Sequence, residues 1–236
     1  MRKSLYIFWF IVLLILLILT IPYFIKILSV VFLPKHVSVL RQLEIYKWCG
    51  IGGIFFVILR SAMKKNIKWI EIFSHELTHI IVALLFFRKI HSFRAEDRGG
   101  GVLTSGKNQI GLLPIALAPY CLPIFTYLLL SIRWMLDFHE VWIYDVLIGI
   151  TICFHINCFR IQMSNLQPDI NQYPLFLSYF YIVTMWLINI SLIFPSFFPN
   201  MNGYNNNEYC YGIWSCIYRL LQSWWETIET ILYFIL

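Results

Sequence analysis

Glu71, His75, Glu76 and His79 fall within nine consecutive residues of an apolar stretch, in the order Glu-Ile-Phe-Ser-His-Glu-Leu-Thr-His. The last five residues form an HExxH motif. On a helix, His75 and His79 lie one turn apart on one face, close enough to hold a single zinc ion. Glu76 is rotated by about 100° from them and can reach water activated by that ion. The chain contains six His and eight Glu, and with that composition a chance HExxH has a probability of about one in two hundred. Ionisable groups at mid-membrane cost about 2.5–3.5 kcal/mol each, so a cluster of four points to a task rather than to mutual hydrogen bonding alone. Glu71 precedes His75 by one turn on the same stripe. It reads either as a group that orients an imidazole or as an interfacial carboxylate near the helix start.

Hydrolytic zinc needs a third protein ligand and an open position for water. His91 and Glu96 follow in a polar loop, but each reaches the motif only if that loop folds back into the bilayer. The other candidates are His155 and Asp169. Asp169 closes the segment Asn165-Leu166-Gln167-Pro168-Asp169, where Asn and Pro interrupt an apolar stretch; broken helices at membrane depth occur where backbone lines a site. Asp169 is therefore the preferred third ligand, with a helix N-cap as its other reading. His155, on an apolar helix, reads as an interior histidine or a group behind the ligands. Ser74, Thr78, His155, Asn157 and Asn165 are candidates for a water path or for helix–helix hydrogen bonds.

The elements that must hold these residues are dictated by composition. Of 236 residues, 60% are hydrophobic and only 13% charged, about half the roughly 25% of a soluble domain. An ordinary soluble protein is excluded. The net charge of +6 comes from 18 Lys and Arg in short clusters between apolar runs, which is membrane-flanking charge and not a nucleic-acid stripe. The six cysteines include no CxxC pair, so neither a disulfide framework nor a zinc ribbon is indicated.

Residues 5–25 are uncharged and long enough to span; with no alanine before Ala62 to mark a cleavage site, the segment is expected to stay as an anchor. Residues 48–59 form a shorter glycine-broken stretch, tilted or re-entrant, and residues 69–87 the next span, bracketed by lysines and arginine. The polar stretch 88–108 reads as a glycine turn and one short strand at 101–105. Further spans are expected at 109–132, kinked by Pro114, Pro119 and Pro123, at 141–159 and at 174–195; the aromatic segment 211–236 crosses or lies on the surface. The expected fold is an all-α integral membrane protein, a polytopic bundle of about five to six transmembrane helices with a short β-like polar loop after the HExxH helix. Residues 1–64 are the anchor and apolar segment, 65–195 the core and 196–236 the tail. The cell membrane is the default location. Basic clusters of similar weight at both ends of the HExxH helix assign no orientation.

An HExxH in a transmembrane helix, a Gly-rich polar loop with a short strand, a span containing Leu117-Ala118-Pro119 and then Asn165-Leu166-Gln167-Pro168-Asp169 together resemble the zinc metalloproteases of the site-2 protease family. The resemblance covers residues 65–195. It implies a Zn2+ cofactor held by His75, His79 and Asp169, Glu76 as catalytic base, and cleavage of membrane-spanning or membrane-associated protein substrates within the bilayer. Asp169-Ile170 stands where the family has Asp-Gly, and Ala118-Pro119 where it has Gly-Pro, which marks a divergent member. An unwound substrate segment can pair with the strand at 101–105, or that strand is a plain connection. The competing readings are a membrane protein that binds zinc or a client helix without cutting, and a transporter component. No repeated half supports the last of these.

Overall fold

With no water in a bilayer to satisfy peptide N–H and C=O groups, apolar runs of this length must hydrogen-bond within themselves, which makes them helices. The computed structural model describes residues 2–32, 39–96, 99–106, 109–136, 141–163, 167–197 and 213–235. In chain order the elements are α1 (Arg2–Phe32), α2 (Val39–Ala62), α3 (Lys64–Leu85), β1 (Lys89–Glu96), β2 (Gly99–Ser105), α4 (Leu112–Leu117), α5 (Ile124–Leu136), α6 (Val141–Gln162), α7 (Pro168–Asn171), α8 (Leu175–Ile193) and α9 (Ile213–Ile235). Short 3-10 turns cover Ala118–Tyr120 and Phe194–Phe197. The described residues are mostly helical with one two-stranded sheet. Among the described residues, α1, α6 and α8 are long and apolar enough to cross a membrane, and the bent α4–α5 pair adds a fourth if it counts as one span.

Two local expectations are corrected. The stretch at 48–59 is not a short broken segment but part of α2, a continuous helix of 24 residues. Its glycines do not interrupt it because they serve packing. A Cβ on Gly52 would sit 2.0 Å from the Val146 carbonyl oxygen, and one on Gly149 2.1 Å from that of Cys49, so α2 and α6 touch backbone to backbone in the manner of small-residue membrane interfaces. Gly149→Leu is therefore expected to force the two helices apart and cost about 3 kcal/mol, read as a lower melting temperature in detergent. An unchanged melting temperature would contradict this packing.

The second correction concerns the polar stretch, which forms a hairpin and not a turn with one strand. β1 and β2 pair antiparallel from Lys89 with Ser105 to Glu96 with Gly99, with an irregularity between Ile90 and Ser92. That bulge destroys the alternation by which β1 would have been recognised. The expected proline kink is present. Pro119 and Pro123 lack N–H donors for a helical ladder, and the chain turns by 83° between Leu112–Tyr120 and Ile124–Arg133.

The core that carries the site joins α1, α4, α7 and α8. Leu13, Leu117, Tyr120, Ile170 and Ile182 are almost wholly buried there, and Trp9 of α1 donates its indole N–H to the Ile110 carbonyl at 3.1 Å. The end of α3 aims the hairpin back toward that core. Phe87 takes φ of 55°, while the N–H groups of Phe87 and Arg88 donate to the carbonyls of Leu84 and Ala83, both at 2.9 Å. This is a left-handed helix stop usually made by glycine. The reversed chain is clamped by Arg88, whose Nε donates to Thr104 Oγ1 of β2 at 3.2 Å.

Candidate metal centre

α3 presents a buried stripe that includes Glu71, Ser74, Thr78, His79 and Val82, with Glu76 also buried. The HExxH histidines therefore face protein, not lipid. α7 begins with Pro168, and its Asp169 lies in the first turn while Gln167 is the N-cap; Asp169 is not the cap of α7, and Pro174 occupies that position for α8. Folded this way, the break between α6 and α8 brings Asp169 to α3. Asp169 Oδ2 lies 3.4 Å from His75 Nε2 and 3.5 Å from His79 Nε2. His75, His79 and Asp169 are also the one group of potential metal ligands found among the described residues.

The other nitrogens of the two rings decide what that cluster can hold. His75 Nδ1 contacts the side-chain carbonyl of Gln162 at 2.8 Å, and His79 Nδ1 the backbone carbonyl of Ile115 at 2.7 Å. Carbonyl oxygens only accept, so both Nδ1 atoms carry the proton and a neutral ring turns a bare Nε2 toward Asp169. Two nitrogen lone pairs and a carboxylate oxygen then converge, an arrangement that repels itself without a cation between. Ligand atoms on tetrahedral zinc with bonds of about 2.0–2.1 Å are about 3.3–3.4 Å apart, close to the two distances to Asp169. The residues fit the metal.

Glu76 and the cluster share a cavity of about 540 Å3, whose wall also includes Gln162, Gln172 and the β2 residues Gly100, Val102 and Thr104. A cavity of this size accommodates a short extended peptide segment. β2 crosses close over Glu76. A Cβ on Gly100 would lie 2.5 Å from Glu76 Oε1, so only glycine lets the strand pass here without moving the carboxylate. Gly100→Ala is expected to leave metal content intact and to lower any turnover that relies on Glu76 by about 100-fold, through displacement of that carboxylate. Turnover at the parent level would remove that constraint.

The remaining sequence candidates lie elsewhere. Glu71 is 6% exposed; its carboxylate accepts from Asn157 Nδ2 at 2.6 Å and from Arg60 Nε at 3.5 Å, and the side chain at His75 Nδ1 is that of Gln162. His155 is buried against Trp186, with ring centroids 5.1 Å apart, outside the cluster. His91 contacts Ser105 across the hairpin. Glu96 accepts from Arg94 at 2.7 and 2.8 Å, and that hydrogen bond holds its carboxyl below the usual carboxylate range. Ser74 and Thr78 bond within α3, Thr78 Oγ1 donating to the Ser74 carbonyl at 2.7 Å. Asn165 lies outside the described residues.

Sequence reasoning missed Gln162, the Ile115 carbonyl and Tyr120. Tyr120 OH donates to Asp169 Oδ2 at 3.4 Å. Its only sequence signal is its place directly after Ala118-Pro119.

Fold and site together define a helical membrane protein that builds a metal-competent His-His-Asp cluster beside a buried glutamate. The family model described as peptidase M50B-like matches residues 48–231. The chain belongs to that family, and so to the site-2 protease (M50) family of membrane zinc metalloproteases. No curated protein and no solved structure matches it.

Proposed function

We propose that the protein is a zinc-dependent, membrane-embedded endopeptidase that hydrolyses peptide bonds of membrane-spanning or membrane-associated substrates, with Glu76 as general base. The observation that carries this reading is the convergence of His75 Nε2, His79 Nε2 and Asp169 Oδ2 in the cavity that Glu76 also lines. Residues 65–195 form the working core, 1–64 the anchor and its apolar companion helix, and 196–236 the tail. In this reading α3 is a fifth span and α2 or α9 a sixth, giving about five to six spans in the cell membrane.

His75, His79 and Asp169 would hold the zinc, which when bound would supply Lewis acidity toward a water and the scissile carbonyl. The chain's own residues do the rest. Gln162 and the Ile115 carbonyl hold the imidazoles in the tautomer that offers Nε2, and Tyr120 steadies the Asp169 oxygen. Glu76 accepts the proton of the attacking water and delivers it to the leaving amine. A transmembrane substrate must unwind before its carbonyls are accessible. β2, paired with β1 along one edge, offers the other to an extended segment, and its glycines bring that segment's backbone close to Glu76.

Protein purified in detergent is expected to carry about one zinc per chain and to cleave members of a fluorescent transmembrane peptide library. Stripping with a chelator abolishes cleavage, and zinc restores it. Zinc bound without cleavage of any peptide would favour the non-proteolytic, client-binding alternative. Absence of zinc would end the metalloprotease reading.

A further inference from the structure

A second cavity, of about 340 Å3, opens between α2 and α6, apart from the metal cluster. Its upper rim is polar, made by Arg60, Ser61, Asn157 and Arg160. Arg60 and Arg160 each stand in the last turn of their helix, the level at which charged side chains flank a membrane span. About one turn deeper the wall becomes apolar, formed by Phe56, Val57 and Ile156. Val57 is 61% and Ile156 47% exposed, so these two side chains face outward, where lipid chains run, while Phe56 is buried behind them.

The charge balance of the rim favours an anion. Among the described residues no carboxylate lines the cavity. Glu71 lies behind it, buried, and holds Arg60 by Nε alone at 3.5 Å while Asn157 supplies its other contact. The terminal nitrogens of Arg60 remain for a second partner in the planar geometry that suits phosphate. Arg160 is exposed on the opposite side of the rim, and Lys64, Lys65 and Lys68, all exposed, follow Arg60 at the start of α3. Basic pockets between membrane helices that end in an apolar groove match an anionic headgroup with its acyl chain.

We infer that this cavity is a binding site for one anionic phospholipid, its phosphate held between Arg60 and Arg160 and an acyl chain laid along Val57 and Ile156. The site does not depend on the protease reading. It shares α6 with the metal cluster, because the last two turns of that helix also carry Asn157, which holds Glu71, and Gln162, which holds His75.

The test uses the full chain, delipidated in detergent and examined by native mass spectrometry with phosphatidylglycerol or phosphatidylcholine of identical acyl chains, or with inorganic phosphate alone. The parent protein is expected to retain one phosphatidylglycerol under conditions that strip phosphatidylcholine. Arg160→Gln, an exposed change that leaves the Arg60–Glu71 contact in place, is expected to weaken that retention about fivefold, the weight of one basic side chain against an anionic headgroup. Ile156→Trp, which fills the groove and leaves both arginines, is expected to weaken it as well. Equal retention of the two lipids would overturn the charge assignment. Retention unaffected by Arg160→Gln would overturn the location, and displacement of the lipid by inorganic phosphate alone, or no loss with Ile156→Trp, would leave a phosphate site without a lipid.

Discussion

Glu76→Gln is expected to keep its zinc and lose its cleavage. The substitution preserves the shape of a side chain that is 7% exposed and alters only its ability to take up a proton, so neither the cavity nor the three ligands should change. Loss of a general base lowers turnover by about 10²–10⁴-fold, equivalent to about 3–5 kcal/mol in the barrier. The variant should also fold at least as stably as the parent, since a buried carboxylate is replaced by a neutral amide. Zinc content, melting temperature and turnover measured on one preparation separate these effects. Turnover retained at the parent level with zinc still bound would remove Glu76 from the mechanism.

Asp169→Ala carries the other large effect. It deletes the oxygen that lies 3.4 and 3.5 Å from the two Nε2 atoms and also strands the Tyr120 hydroxyl. Zinc affinity should fall by more than the about 10–100-fold that loss of a group behind the ligands costs, and cleavage should fall with it. His155→Ala supplies the contrast. Its ring packs on Trp186 outside the cluster, so the variant should bind zinc like the parent and lose only stability. The reverse pattern, with zinc lost in His155→Ala and kept in Asp169→Ala, would transfer the third ligand to His155.

How much of this was legible in the chain depends on the range of the interaction. The HExxH helix could be read because its periodicity is local: His75 and His79 share a face in any helix, and apolar segments in lipid have no alternative to helix. The apolar cores of α1, α6 and α8 follow from the same rule. β1 was missed because the bulge between Ile90 and Ser92 removes the period of two on which strand recognition rests. The glycines of α2 were misread as interruptions because their role is a contact with Val146 on a helix far along the chain, and a local pattern carries no sign of it.

The candidate site divides along the same line. Sequence by itself determined a helical membrane protein with two histidines and a glutamate on one helix, and narrowed the third ligand to a short set that included Asp169 and His155. Tertiary structure alone decided which of these meets the motif, that Gln162 and the Ile115 carbonyl set the imidazole tautomers, that Tyr120 meets Asp169, and that Gly100 brings a strand against Glu76. The physical reason is that helix formation is settled by hydrogen bonds four residues apart. Convergence of groups 94 residues apart, as in His75 and Asp169, is settled by how the helices pack and where the chain breaks between them.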